Sequence, residues 1–388
     1  MRYFLIILAM MLTAVVGAQR KYELKGEISG ATNKDLLYLQ YRLPDGKWKS
    51  EEVAIKNGRF TFIGQTDEPL LIYVYNNPYF SSDGKSMGQF YAEPGILTAT
   101  ADYKDLSKID VKGSKTQVDL DALNRFKLPI TRKQNMIAAE REQLYSKLQS
   151  AKKDSQKAGL QKKIDSGQVT FDALWVEEIK AEIEFFTEHP NSFAAPGPLM
   201  MQLGQGMGVS FRDQTAQVAR NLSDEVKNSV AGKALMRKVS AYENSKVGDK
   251  AQDFSLVEIH KNVIALSNFS KKKYVLIDFW ASYCAPCRSE YPELKQVFSK
   301  YPNLEVVNIS KDQNLESWKN AIAKDGIGSW RHISMLDNRD TKILDDYNVT
   351  FIPVKVLIDP SGKIIARWDG SGDDQIASLK NELKNIFE

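Results

Sequence analysis

The sequence predicts a multidomain chain: an N-terminal all-β sandwich, a central α-helical segment and a C-terminal α/β fold. Three observations carry this reading. At 388 residues, 43% hydrophobic and 26% charged, the chain has the composition of a folded protein and exceeds what one core can hold. The apolar pattern changes near residue 116 from strict alternation to helical spacing. Beyond about residue 246, near-continuous apolar runs alternate with amphipathic stretches, as in strands buried between helices. The expected divisions are 1–18, 19–115, 116–245 and 246–388. The formal charge of +4 is small for this length and gives no case for a nucleic-acid partner.

The first division is a leader. In "MRYFLIILAMMLTAVVGAQRKYELKG" one Arg precedes an uncharged stretch from Tyr3 to Gln19, and Val16-Gly17-Ala18 fit a small-residue cleavage site. This reads as a secretory signal peptide cut near Ala18. The alternative is a short membrane anchor, because the stretch approaches spanning length. With no cysteine near the cut, a lipid anchor on cysteine is excluded. The expected location is the periplasm or cell envelope.

The second division alternates. "KYELKGEIS" places Tyr22, Leu24 and Ile28 on one face. "EEVAIKNGRFTFIG" reads as a hairpin, since Asn57-Gly58 suits the positive φ angles of a type I′ turn. "PLLIYVYNN" and "GQFYAEPGILTAT" add strands, the latter broken at Pro94-Gly95. Regular turn signals between short strands suggest a small sandwich, with its aromatic residues in the core.

The third division is helical. Ile137, Leu144, Leu148 and Ala151 keep one face, as do Val176, Ile179, Ile183 and Phe186, and the second helix should stop before Pro190. Between 131 and 166, nine Lys/Arg (132, 133, 141, 147, 152, 153, 157, 162, 163) stand against four Asp/Glu (140, 142, 154, 165), read as a solvated helix face. "MMQLGQGMG" at 200–208 reads as a flexible connection rather than a copper-binding methionine cluster.

In the last division "YVLIDFW" (274–280) and "LEVVNIS" (304–310) are buried strands. "VKVLID" and "KIIARW" form a hairpin across Pro360-Ser361-Gly362, and "DQIASLKNELKNIF" closes as a helix. Together they predict a mixed sheet with helices on both faces.

The only two cysteines, Cys284 and Cys287, sit in "DFWASYCAPCRSEYP". A staple closing so short a loop gains little chain entropy. Zinc needs about four ligands, and His189, His260 and His332 have no ligand-like spacing; c-type haem needs His where Arg288 stands. Chance placement is disfavoured, since two cysteines could have fallen anywhere. A redox couple remains. A strand ending at Trp280 delivers Cys284 to a helix start, where backbone N–H groups and the helix dipole favour a thiolate. Cys284 then attacks a target disulfide, and Cys287, one turn further on, resolves the mixed disulfide. The uncharged Ala285-Pro286 gap predicts a couple less oxidising than one with His there.

"VLIDFWASYCAPCRSEYPEL" resembles the active-site segment of the thioredoxin fold, and more narrowly that of TlpA/ResA-like thiol–disulfide oxidoreductases. "VGDKAQDFSL" (247–256) is similar to that group's opening strand and "FIPVKVLIDPSGKIIARW" (351–368) to its later hairpin. The first part of the chain, with "VKGSKTQVDL" at 111–120, resembles a β-sandwich domain of unknown function that precedes such modules in Bacteroidetes proteins. The resemblance implies that Pro353 is the fold's cis-proline, with Ile352 presenting its backbone to a substrate chain. It implies that Asp278 is the buried acid that helps deprotonate Cys287, and that Trp280 and Tyr283 flank the cysteines as substrate contacts. Three positions depart from the pattern: Tyr283 where relatives often have Trp, Gln252 for Pro, and Val354 for Thr. Trp330 and His332 match the relatives without a mechanism, and His332 is read as structural.

The leading functional reading is an exported disulfide reductase acting on disulfide-containing envelope proteins. It would draw electrons from a membrane donor, with no small-molecule cofactor or metal. An oxidase or isomerase of the same fold is the second reading, and an envelope binding protein with a vestigial redox module the third. A peroxide reductase would need Thr and Arg around a single cysteine, which "ASYC" does not supply.

Overall fold

The structure, a computed structural model, describes residues 20–43, 46–78, 84–204, 206–269, 272–337 and 342–388, with side chains at 206–208 left aside. The leader expected over 1–18 lies outside these residues. Two compact units divide at Ala122/Leu123.

The first unit is the expected sandwich. Its strands are β1 (Arg20–Ser29), β2 (Leu36–Arg42), β3 (Trp48–Ala54), β4 (Arg59–Thr66), β5 (Leu70–Tyr75), β6 (Met87–Ala92), β7 (Gly95–Asp102) and β8 (Asp105–Lys112). They form two four-stranded sheets, ordered β4-β1-β7-β8 and β3-β2-β5-β6. Inward-facing Tyr22, Leu24, Leu37, Leu39, Ile72, Phe90 and Leu97 build the core. Two glycines make room for aromatic rings across one strand pair. Gly26 lies opposite Phe60 and Gly64 opposite Tyr22, and a Cβ would stand 2.0 and 2.2 Å from those rings.

The hairpin expectation needs correction. Asn57 and Gly58 do adopt positive φ (53° and 72°), and the turn closes with Lys56 bonded to Arg59 in both directions. But β3 pairs with β2 and β4 with β1, so the turn carries the chain from one sheet to the other. Alternation says which face is buried, not which neighbour a strand takes.

The second unit begins within α1 (Lys115–Ser150), which runs antiparallel to α2 (Asp154–Glu188). α2 stops before Pro190, as expected. Then come α3 (Pro196–Gly204), a short 3₁₀ turn over 206–211, α4 (Arg212–Asn221), α5 (Asp224–Asn228) and α6 (Val230–Glu243). The flexible connection expected at 200–208 is therefore helical through 204. Leu199 and Leu203 are fully buried, and that tertiary packing outweighs the weak helix preference of the glycine-rich stretch.

The C-terminal part opens with β9 (Ser255–Val257) and β10 (Val263–Ala265). There follow β11 (Tyr274–Trp280), α7 (Ala285–Phe298), β12 (Leu304–Ser310), α8 (Leu315–Asp325), β13 (Arg331–Ser334), α9 (Ile343–Asp346), β14 (Val354–Ile358), β15 (Ile364–Asp369) and α10 (Asp373–Phe387). The main sheet is ordered β13-β12-β11-β14-β15, with β12 parallel and β14 antiparallel to β11. The opening strand expected at 247–256 is shorter, confined to β9. Residues before it bond the β14–β15 turn and the start of β15, through Gly248 N–H to Ile364 O at 2.8 Å and Ala251 N–H to Gly362 O at 2.8 Å. Among the described residues no helix is long and apolar enough to cross a membrane.

Candidate active site

Central strand β11 sets the site. Val275 to Trp280 are all buried. The register places Asp278 between Asn308 on β12 and Lys355 on β14, on the sheet face covered by α7. Beyond Trp280 the chain turns, and Asp312 fixes that turn by accepting from the Ser282 N–H at 2.8 Å and the Ser282 hydroxyl at 2.5 Å. Arg288 closes it from the other side, donating to Ser282 O at 3.0 Å and through two nitrogens to Asp325 at 2.7 and 2.8 Å.

Cys284 is the N-cap of α7, and its sulfur accepts from the Cys287 N–H at 3.2 Å. Pro286 sits in the first helical turn, where a missing N–H costs nothing. The two cysteines are joined in a disulfide with Cα atoms 5.4 Å apart, within the ordinary range. Cys284 is 7% exposed and Cys287 0%. Of the two, only Cys284 keeps any exposed surface.

A group of buried charges lies on adjoining elements and is tied through Tyr291 to the cluster that holds the cysteines. Asp278 Oδ2 accepts from the Tyr291 hydroxyl at 3.1 Å and from Asn308 Nδ2 at 3.0 Å. Its Oδ1 has no hydrogen bond; the nearest cation is Lys355 Nζ at 3.8 Å. Lys355 instead donates to Glu290 Oε2 at 2.5 Å. All three side chains are buried. Burial drives the Asp278 carboxyl above the usual carboxylate range, and the Lys355 ammonium only partly offsets it. A carboxyl raised in this way takes up a proton more readily than an exposed one, the state a base near a thiol must reach.

The Ile352–Pro353 bond is cis, and β14 starts directly after it. Ile352 packs against the cluster that contains Cys284 and Cys287. Tyr283 is 69% exposed beside the disulfide. Trp280 departs from its expected substrate contact: it has no exposed surface and packs edge-to-face on Tyr291 at 5.6 Å, beneath the cysteines. His332 is buried, with Nε2 2.8 Å from Ile327 O, and burial lowers its pKa. No group of three or more His, Cys, Asp or Glu among the described residues is arranged to hold a metal.

Glu290 and Lys355 were missed by sequence reasoning. One signal was available: a Lys inside the apolar run "PVKVLID". Its partner, 65 positions away, cannot be read from any local pattern.

Residues 272–364 match a thioredoxin-like family, and residues 22–120 match a domain family of unknown function, DUF4369. The chain is similar to "Thiol-disulfide oxidoreductase ResA" of Bacillus thuringiensis, 26% identical over 146 residues that cover 37% of this chain and 80% of that one. It is also similar to "Thioredoxin-like protein YneN" of Bacillus subtilis, 31% identical over 118 residues, covering 30% of this chain and 68% of that one. Among solved structures, the thioredoxin domain of a thiol-disulfide oxidoreductase from Bacteroides vulgatus is 29% identical, with a TM-score of 0.32, covering 35% of this chain and 97% of that one.

Proposed function

Through its C-terminal part the chain belongs to the thioredoxin-like family of thiol–disulfide oxidoreductases, and from that premise we propose that it is an exported disulfide reductase. The observation that carries the reading is the asymmetry of the cysteine pair, with Cys284 at the N-cap of α7 keeping a little exposed surface and Cys287, one turn on, keeping none.

In the working direction the pair is first reduced to two thiols. Cys284 attacks as the thiolate, assisted by the N-terminal N–H groups of α7. One sulfur of the target disulfide leaves as a thiolate and a mixed disulfide forms. Cys287 gives up its proton towards Asp278 and attacks Cys284. The Cys284–Cys287 disulfide re-forms, and the target departs with two thiols. Tyr283, Ile352 and Pro353 border the approach of the target chain. Two electrons must then be returned. The leader at 1–18 argues for an envelope location without a reducing pool, so the donor would be a membrane protein and the targets envelope proteins with disulfides.

The test is the reduction potential of the Cys284/Cys287 couple, measured by equilibration with glutathione. A value near or below roughly −250 mV, in the thioredoxin range, is expected for a reductant. A value near roughly −120 mV, in the range of strong periplasmic oxidants, would replace the reductase with an oxidase.

A further inference from the structure

We infer that helices α3 and α4 are a positioning element for substrate recognition: they hold the turn at 347–352, which leads into Pro353, in the shape a protein substrate reads. The inference rests on the proposed reaction at Cys284 and adds a role for a helical segment that matches neither family.

Five contacts make the case. Asn348 lies in the left-handed region at φ 49°, a conformation that Asn tolerates but that needs support. Its side-chain amide donates to Leu203 O at the end of α3, at 3.3 Å. Two residues on, the Thr350 hydroxyl donates to Gly204 O. From α4, the buried Arg212 donates to Asp369 Oδ2 at 3.0 Å. Asp369 also binds Arg367, whose guanidinium donates to Tyr347 O at 2.8 Å. Asp369 in turn lies opposite Val354, the residue after Pro353, in the β14–β15 register.

The same turn is tied to the end of β11 through Lys311, the residue after β12. Lys311 Nζ donates to Thr350 O at 3.5 Å, and the Lys311 N–H donates to Trp280 O at 2.9 Å. The turn is thus held on one side by the loop that follows β12 and on the other by the helices. A carbonyl at the end of a helix has no partner within it, so Leu203 and Gly204 offer acceptors that the turn satisfies. A target chain lying along Ile352 meets a surface whose shape α3 helps to set. A small disulfide that reaches only Cys284 does not.

Gly204 allows a graded test. A Cβ there would stand 3.1 Å from Thr350 Cγ2 and 3.2 Å from Thr350 Oγ1, so each added carbon presses on the turn. In the full chain, Gly204→Ala and Gly204→Val are compared with wild type for reduction of insulin and of 5,5′-dithiobis(2-nitrobenzoate). In both assays the protein is first reduced with a dithiol that is then removed, and the two cysteines pass from thiols to disulfide as the substrate disulfide passes to two thiols. KM for insulin should rise in order of side-chain size, by roughly fivefold or more for Val. Turnover of the small disulfide should stay within about twofold of wild type. Adding Thr350→Ser to Gly204→Ala, which removes the crowded methyl, should restore much of the insulin KM. Should Gly204→Val not fold, the Ala variant and its rescue carry the test. Unchanged insulin kinetics in Gly204→Ala and Gly204→Val would overturn the inference, as would equal losses on both substrates. A wild-type protein that reduces neither substrate would instead remove the proposed function.

Discussion

Two clusters in the second unit have the same composition, one lysine between two carboxylates, and opposite character. Lys127 on α1 donates to Glu178 at 2.9 Å and to Glu182 at 2.5 Å. The two remaining oxygens accept from Gln134 at 2.9 Å and Gln202 at 2.8 Å, so every carboxylate oxygen is satisfied. Lys355 lies between Glu290 and Asp278, but Asp278 Oδ1 is left without a hydrogen bond. Nearby carboxylates hold the Lys127 ammonium above its ordinary pKa despite burial, whereas the Asp278 carboxyl is pushed up chiefly by burial. The difference lies in satisfaction, not in charge count. In the first cluster every carboxylate oxygen is bonded, while at Asp278 burial outweighs the partners and favours the protonated form.

The largest expected effect tests which cluster serves chemistry. Cys284→Ser removes the nucleophile and should lower turnover by about 10³-fold or more, read with either disulfide substrate. Retained turnover in that variant would move the reaction away from the pair above Asp278. Lys127→Met, by contrast, should leave turnover per folded molecule unchanged. Removing one partner of a largely buried network typically costs about 3–5 kcal/mol; Lys127 is slightly exposed, so the low end is expected in urea unfolding. If Lys127→Met slowed the reaction while folding normally, the division between the clusters would be wrong.

Asp278→Asn comes next. Loss of a base commonly costs about 10²-fold or more, and the rate should recover as pH rises and Cys287 ionises unaided. Stability should move the other way. The folded carboxyl has a raised pKa, so below about pH 4 it is protonated whether folded or unfolded and carries no penalty. As pH rises, the unfolded state ionises freely and the folded state resists, so wild-type stability falls until the folded pKa is passed. The Asn variant is spared this, and thermal melts should show its advantage growing from pH 4 to pH 7. An advantage that shrank over that range would reverse the assigned direction.

These contrasts also show what a sequence can disclose. Strands 274–280 and 304–310 were legible to the residue, because unbroken apolar runs bounded by polar residues allow one reading. The cysteine pair was legible because helix start and spacing carry its chemistry. β13 was not: four residues, "RHIS", are too few to show a period. α3 was hidden because its helix depends on burial of Leu199 and Leu203. Six of the eight sandwich strands were found, β2 and β8 being missed, and the sheet each one joins depends on pairing that alternation does not encode. Asp278 was read from the resemblance to the thioredoxin active-site segment. Lys355 and Glu290 reach it only through strand register and the packing of α7.

The smallest effect sharpens the comparison most directly, by giving the satisfied cluster the defect of the other. Gln202→Leu removes the donor to Glu182 Oε2, leaving that oxygen buried and open much as Asp278 Oδ1 is. It also removes the acceptor of the Thr215 hydroxyl, bonded at 2.9 Å. Unsatisfied buried groups cost about 1–3 kcal/mol each, partly relieved where water can enter, so the urea midpoint should fall. Gln202→Glu would be worse, placing a third carboxylate beside Glu182. If Gln202→Leu were neutral, satisfaction of each oxygen would not be what separates the clusters. The distinction would then rest on position alone, with Asp278 reactive only because it lies under the cysteines.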